Sequence, residues 1–162
     1  MTQSIAICPG SFDPPTLGHI NIIKRSLTLF DQVIVAVAIN RTKAPLFSVE
    51  ERTDLLSKIF MEESRIQIDS FEGLLVQYAQ NQNAQAILRG IRNMSDYEYE
   101  SQMALANKTM APEIETVVMM TECHFAHLSS TIIKDVIEHK NEESKMIHPL
   151  VKKALKKKLQ ED

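Results

Sequence analysis

Short, almost wholly apolar runs alternate with longer stretches in which apolar residues recur every three or four positions. Ser4–Cys8 (SIAIC) reads as a buried strand stopped by Pro9-Gly10. Ile20, Ile23, Leu27 and Phe30 then recur at helical spacing. Gln32–Ile39 (QVIVAVAI) is a valine-rich run of the kind covered on both faces. Ser48 and Glu51 fit a capping box, and Leu55, Leu56, Ile59 and Phe60 form the inner face of the helix that follows. Arg65–Ser70 predicts a third strand, Leu74–Asn81 a short helix and Ala86–Arg89 a fourth strand. Ser95 and Glu98 read as a second capping box, heading a helix towards Met110. Thr116–Met120 predicts a fifth strand, Ser130–His139 a helix, and Pro149 the first turn of another.

Five strands separated by helices imply right-handed crossovers. The expected fold is α/β, a doubly wound five-stranded parallel sheet of Rossmann-like type. No repeat, low-complexity segment or linker divides the 162 residues, so a single domain over 1–162 is expected, ending in a lysine-rich helix from about 148. Ligands in such sheets bind beyond the carboxyl ends of the strands, where strand order reverses. The loops after the strands are therefore where chemistry should lie.

Composition narrows the function. A content of 44% hydrophobic and 24% charged residues is that of an ordinary globular protein. A formal net charge of −3 supplies no basic field for nucleic acid. No apolar run reaches the roughly 20 residues of a membrane helix, and Met1-Thr2-Gln3-Ser4 does not open a secretory signal. The cytoplasm is the expected compartment, with Cys8 and Cys123 reduced and buried. Met103, Met110, Met119 and Met120 read as core filler, and Lys152, Lys153 and Lys156–Lys158 as the solvated face of a peripheral helix.

Candidate chemistry sits after each strand. In Pro9-Gly10-Ser11-Phe12-Asp13-Pro14-Pro15-Thr16-Leu17-Gly18-His19, Gly10 permits close backbone approach, Ser11 offers a hydroxyl, and His19 lands at the mouth of a helix. That helix end suits a phosphate, although His19 could equally cap or pack. Arg41 and Lys43 after strand two could clamp a phosphate or be solvated loop cations. Arg89 and Arg92 flank Gly90 at the end of strand four, where guanidinium groups facing a cleft call for anions. Asp96 and Glu98 read as an acidic first helical turn. Ser129, Ser130 and Thr131 offer hydroxyls at a further helix start. Cys123, His124 and His127 are too few and poorly spaced for a metal centre, so no protein metal ligands are expected.

Gly10-Ser11-Phe12-Asp13-Pro14 followed by Thr16-Leu17-Gly18-His19 resembles the GxFDPxTxGH signature of the nucleotidyltransferase superfamily. Arg89-Gly90-Ile91-Arg92 through Asp96, Glu98, Tyr99 and Glu100 resembles the RGxRxxxDxEYE stretch of phosphopantetheine adenylyltransferases, and Thr16 favours the same family. The resemblance spans residues 4 to about 138. It implies transfer of AMP from ATP to 4′-phosphopantetheine, giving dephospho-coenzyme A and pyrophosphate, with Mg²⁺ assisting and a homohexameric assembly. It implies that His19 stabilises the transition state, and that Ser11, Lys43, Leu75 and Arg89 meet the acceptor. ATP contacts are implied for Ser11, Phe12, His19, Gly90, Ile91, Arg92 and Glu100, and for Phe125, Ala126, His127, Leu128, Ser129, Ser130 and Thr131. Position 11 is usually threonine in that family, and His127 stands where relatives often carry an aromatic residue.

Overall fold

The computed structural model describes residues 3–40, 44–138 and 147–159. Its strands are β1 (Ile5–Gly10), β2 (Gln32–Ala38), β3 (Ile66–Phe71), β4 (Ala86–Ile91) and β5 (Glu115–Met120). They form one parallel sheet in the order β3-β2-β1-β4-β5. The helices are α1 (Leu17–Ser26), α2 (Val49–Ile59), α3 (Leu75–Asn81), α4 (Met94–Met110), α5 (Ser130–Glu138) and α6 (Pro149–Lys158). The expected doubly wound sheet is present.

Side chains alternate across a strand, so each strand supplies two cores. Ala6, Cys8, Val33, Val35, Val37 and Leu88 face one way and pack on Ile20 and Ile23 of α1, on Leu27 just after it, and on Leu56 of α2. Ile7, Ile34, Ala36 and Ile87 face the other, against Val76 and Ala79 of α3 and against Ala111 and Ile114. This two-sided burial is why the strands read as unbroken apolar runs rather than as alternating ones.

The sheet opens where the site lies. β1 pairs with β2 as far as Gly10↔Val37, and β4 pairs with β5 as far as Ile91↔Met120. Between β1 and β4 the register holds only at Ala6↔Ala86 and Ile7↔Ile87. Beyond that point the two halves splay apart. Pro9 has no N–H to offer a neighbouring strand, and its carbonyl accepts from Arg89 Nη1 at 2.9 Å instead.

Four expectations need correction. α4 is capped by Asn93, whose side chain accepts from the Asp96 N–H at 2.8 Å, not by Ser95. Asn93 is extended and starts the helix two residues early, in register with the Arg92–Asp96 ion pair. α6 is not peripheral: Val151 and Leu155 are fully buried against Phe47, Leu55 and Ile133, bridging α2 and α5. Of its lysines, Lys153 and Lys157 are exposed, Lys152 and Lys156 are half-buried, and Lys158 pairs with Glu51. Cys8 is buried as expected, but Cys123 is exposed in a short 3-10 turn. Of the four methionines, Met119 packs against the core, while Met103, Met110 and Met120 are exposed because α4 and the edge strand β5 turn an outer face to solvent. The capping box at Ser48–Glu51 and the proline at the start of α6 are both found.

Candidate active site

A cleft of about 310 Å³ lies at the carboxyl ends of β1 and β4, where the strand order reverses. Its walls come from residues 8–12 at the end of β1 and just beyond it, from the start of α1, from residues between Arg89 and Glu100, and from Leu128–Ser130 at the start of α5.

The loop after β1 is folded back on itself. The Phe12 ring is buried against Gly10, so closely that a Cβ at position 10 would stand 2.9 Å from its Cζ. Glycine is required there by packing. Phe12 itself takes a left-handed φ of 47°. Asp13, buried at 8% exposure, accepts the N–H groups of Phe47 at 2.9 Å and Leu46 at 3.0 Å and pairs with Lys134 of α5 at 3.4 Å. Ser130 Oγ donates to the Pro14 carbonyl at 2.9 Å. These contacts tie the loop to the segment before α2 on one side and to α5 on the other.

His19 and Thr16 cap α1 reciprocally. The His19 N–H donates to Thr16 Oγ1 at 3.1 Å, and His19 Nδ1 accepts the Thr16 N–H at 3.0 Å. An accepting Nδ1 places the neutral ring's proton on Nε2. Burial, reinforced by the nearby Arg92 and Arg89 guanidinium charges, pushes the His19 pKa down to about 4. The imidazole is therefore a neutral donor at physiological pH. The Phe12 ring meets it edge-on, with centroids 5.1 Å apart and planes at 77°.

The two arginines are held by carboxylates. Arg89 donates through Nε to Glu100 Oε2 at 2.7 Å and through Nη2 to Oε1 at 2.5 Å. Burial works against its charge, but the pairing with Glu100 outweighs burial and raises its pKa. Arg92 donates through Nε and Nη2 to Asp96, and through Nη1 to the Leu128 carbonyl at 3.1 Å. That pairing, opposed by partial burial, holds the Asp96 carboxyl below its usual range. Among the described residues Arg89 uses three of its five guanidinium N–H donors, which leaves two for a ligand oxygen.

Comparison with known proteins places this arrangement. Residues 7–136 match the Cytidylyltransferase-like family. The chain is 46% identical over 158 residues to the phosphopantetheine adenylyltransferase of Geobacter metallireducens, covering 98% of this chain and 97% of that one. It is 47% identical over 156 residues to the enzyme of that name from Leptospira biflexa, covering 96% and 98%. Identity reaches 50% over 137 residues with that of Desulforudis audaxviator, covering 85% and 84%. This chain belongs to the phosphopantetheine adenylyltransferase family. Among solved structures, one from Vibrio parahaemolyticus assigned as a nicotinate-nucleotide adenylyltransferase superposes with a TM-score of 0.63 at 21% identity, covering 95% of this chain and 99% of that one. At that identity the likeness is one of fold.

Most residues that the resemblance to phosphopantetheine adenylyltransferases singled out meet in the cleft: Ser11, Phe12, His19, Arg89, Gly90, Arg92, Glu100, Leu128, Ser129 and Ser130. Phe12 is buried to 1%, so its main chain is what the cleft can use. Ile91 is also buried, and its carbonyl accepts from the Thr121 N–H at 2.9 Å. Phe125, Ala126, His127 and Thr131 stand outside the cleft lining, with Phe125 near Gly18 and stacked obliquely on His124. Leu75 opens α3 at the carboxyl end of β3, packs against the same core as Phe71 and Tyr78, and is not part of the cleft lining. Lys43 and Arg41 lie outside the described residues. Sequence reasoning gave no role to Asp13, whose partners lie more than 30 residues away; a carboxylate between Phe and Pro was the available signal.

Proposed function

We propose that this chain transfers the adenylyl group of ATP to 4′-phosphopantetheine, releasing pyrophosphate and forming dephospho-coenzyme A. One observation carries the reading: the Gly10–His19 loop and the Arg89–Arg92 turn converge on one cleft at the reversal point of the sheet. The nucleophile is a phosphate whose second pKa lies near ~6, so it arrives largely ionised and needs no general base. Catalysis is then positioning and charge stabilisation. His19, neutral and protonated on Nε2, supplies a donor to the α-phosphoryl oxygens as charge develops. Ser11 and Arg89, joined by Lys43, orient the acceptor phosphate, and Leu75 meets the pantetheine arm. The nucleotide lies along Ser11, Phe12, Gly90–Arg92 and Glu100, with residues 125–131 around the base and outer phosphates.

Mg²⁺ enters with ATP. Among the described residues no three His, Cys, Asp or Glu side chains cluster to hold an ion, and the cleft's carboxylates, Asp96 and Glu100, are engaged by arginines. The donor set does not fit a protein-built Mg²⁺ site, so the ion's oxygen ligands come from the triphosphate and water. The working unit is a single nucleotidyltransferase domain assembled as a homohexamer in the cytoplasm. Support for assembly is the exposed apolar face of α4 and β5, where Met94, Leu105 and Met120 are 69%, 72% and 61% exposed. No described helix is long and apolar enough to cross a membrane.

Purified protein supplied with both substrates is expected to form dephospho-coenzyme A, identified by mass. His19→Ala is expected to keep ATP binding and lose about 10²–10³ in turnover. Wild-type turnover by that variant would contradict the assignment.

A further inference from the structure

Arg52 is out of place for an ordinary helix residue. It sits in the second turn of α2, where charged side chains normally reach solvent, yet it is only 3% exposed. Burial of a guanidinium is costly unless its donors are met. Its Nε donates to the Ser48 carbonyl at 3.2 Å, and its Nη1 reaches across to the Ser11 carbonyl at 2.8 Å, 41 residues away. No carboxylate of the described residues forms a salt bridge with it, and its charge, which the neighbouring Glu50 carboxylate feels, stands behind the loop that follows β1.

The bond to Ser11 fixes a peptide plane. Asp13–Pro14 is the cis bond in this loop, so the Ser11–Phe12 peptide is trans, with N–H and C=O pointing in opposite directions. Drawing the Ser11 carbonyl towards α2 therefore turns the Phe12 N–H away from α2. That N–H donates to no group among the described residues, although both Ser11 and Phe12 line the cleft. The Phe12 ring, buried beneath Gly10, prevents the plane from swinging back.

We propose that Arg52 is a positioning residue for the transfer reaction: by holding the Ser11 carbonyl it presents the Phe12 N–H, backed by a buried positive charge, to a phosphate oxygen of ATP. The inference rests on the reaction proposed above. Its specific content is that an arginine outside the cleft sets the anion affinity of the loop inside it.

The test combines kinetics with a titration that needs no turnover. In protein labelled with ¹⁵N-phenylalanine, the Phe12 amide resonance is followed as ATP is added without acceptor. In the wild type it is expected to move strongly. In Arg52→Met, checked for fold by circular dichroism, it is expected to respond weakly, while kcat/KM for ATP falls about tenfold to hundredfold through loss of one charge-assisted arrangement. Arg52→Lys, which keeps the charge and a donor but cannot span both carbonyls, is expected to recover part of both. A Phe12 amide that ignores ATP in the wild type overturns the proposal, as does a folded Arg52→Met with unchanged response and kcat/KM. Should Arg52→Met fail to fold, Arg52→Lys decides: a weaker Phe12 response than wild type supports the role, and an equal one overturns it. A protein whose Phe12 amide responds to ATP but that forms no dephospho-coenzyme A would keep this inference and reject the reaction.

Discussion

At the scale of single residues, His19 joins two roles that the sequence presented as alternatives. It caps α1 and it stands in the cleft, and the first role fixes the second. The Thr16 N–H occupies Nδ1, leaving Nε2 as the donor, while burial and two arginines keep the ring neutral. This has a consequence for stability. The unfolded chain protonates His19 near its ordinary 6.5, whereas the folded protein does so only at about 4. Between those values the unfolded state binds more protons, so stability present above pH 6.5 is lost as pH falls towards 4, by up to about 3 kcal/mol. Melting temperatures across that window should fall less steeply in His19→Asn than in the wild type, and NMR titration of wild-type His19 should give a midpoint near 4. A midpoint near 6.5 would contradict the burial and charge argument. Arg89 and Glu100 teach a related point: the motif was legible, but not that Glu100, 11 residues on, would grip Arg89 with both oxygens.

At the scale of elements, buried strands and capped helices were readable because each carries its own local signal. The run of valines in β2 is covered from both sides, and Ser48–Glu51 closes a capping box within four residues. Where two local signals competed, contacts across the turn decided: Ser95–Glu98 fits the box pattern, yet Asn93 starts α4 beside the Arg92–Asp96 pair. Long-range docking left no such signal. Nothing local in a lysine-rich tail says that Val151 and Leu155 fill the space between α2 and α5, because that depends on apolar surface presented by residues about 20 to 100 positions earlier. Leu155→Ala should therefore destabilise the protein by about 2–5 kcal/mol in chemical denaturation, while Lys153→Ala on the exposed face should change little. Equal effects would return α6 to the periphery.

At the scale of the whole molecule, strand order makes the site. A sheet built outwards from β1 in both directions must splay where its halves part, and the two phosphate-directed segments stand on either side of that opening. The alternation of elements allowed this to be expected; the register that ends at Ile7↔Ile87 had to be seen. At the same scale, the proposed homohexamer would cover the exposed apolar residues of α4 and β5. If they join subunits, Leu105→Glu should reduce the mass found by light scattering and leave secondary structure intact. An unchanged mass would move the interface elsewhere.

Pyrophosphate release from ATP with a panel of acceptors decides the proposed reaction. Release is expected with 4′-phosphopantetheine at a kcat/KM far above that with nicotinamide mononucleotide or glycerol 3-phosphate, and none with pantetheine lacking the phosphate. Preference for another phosphorylated acceptor, or ATP binding with no release from any, would contradict it.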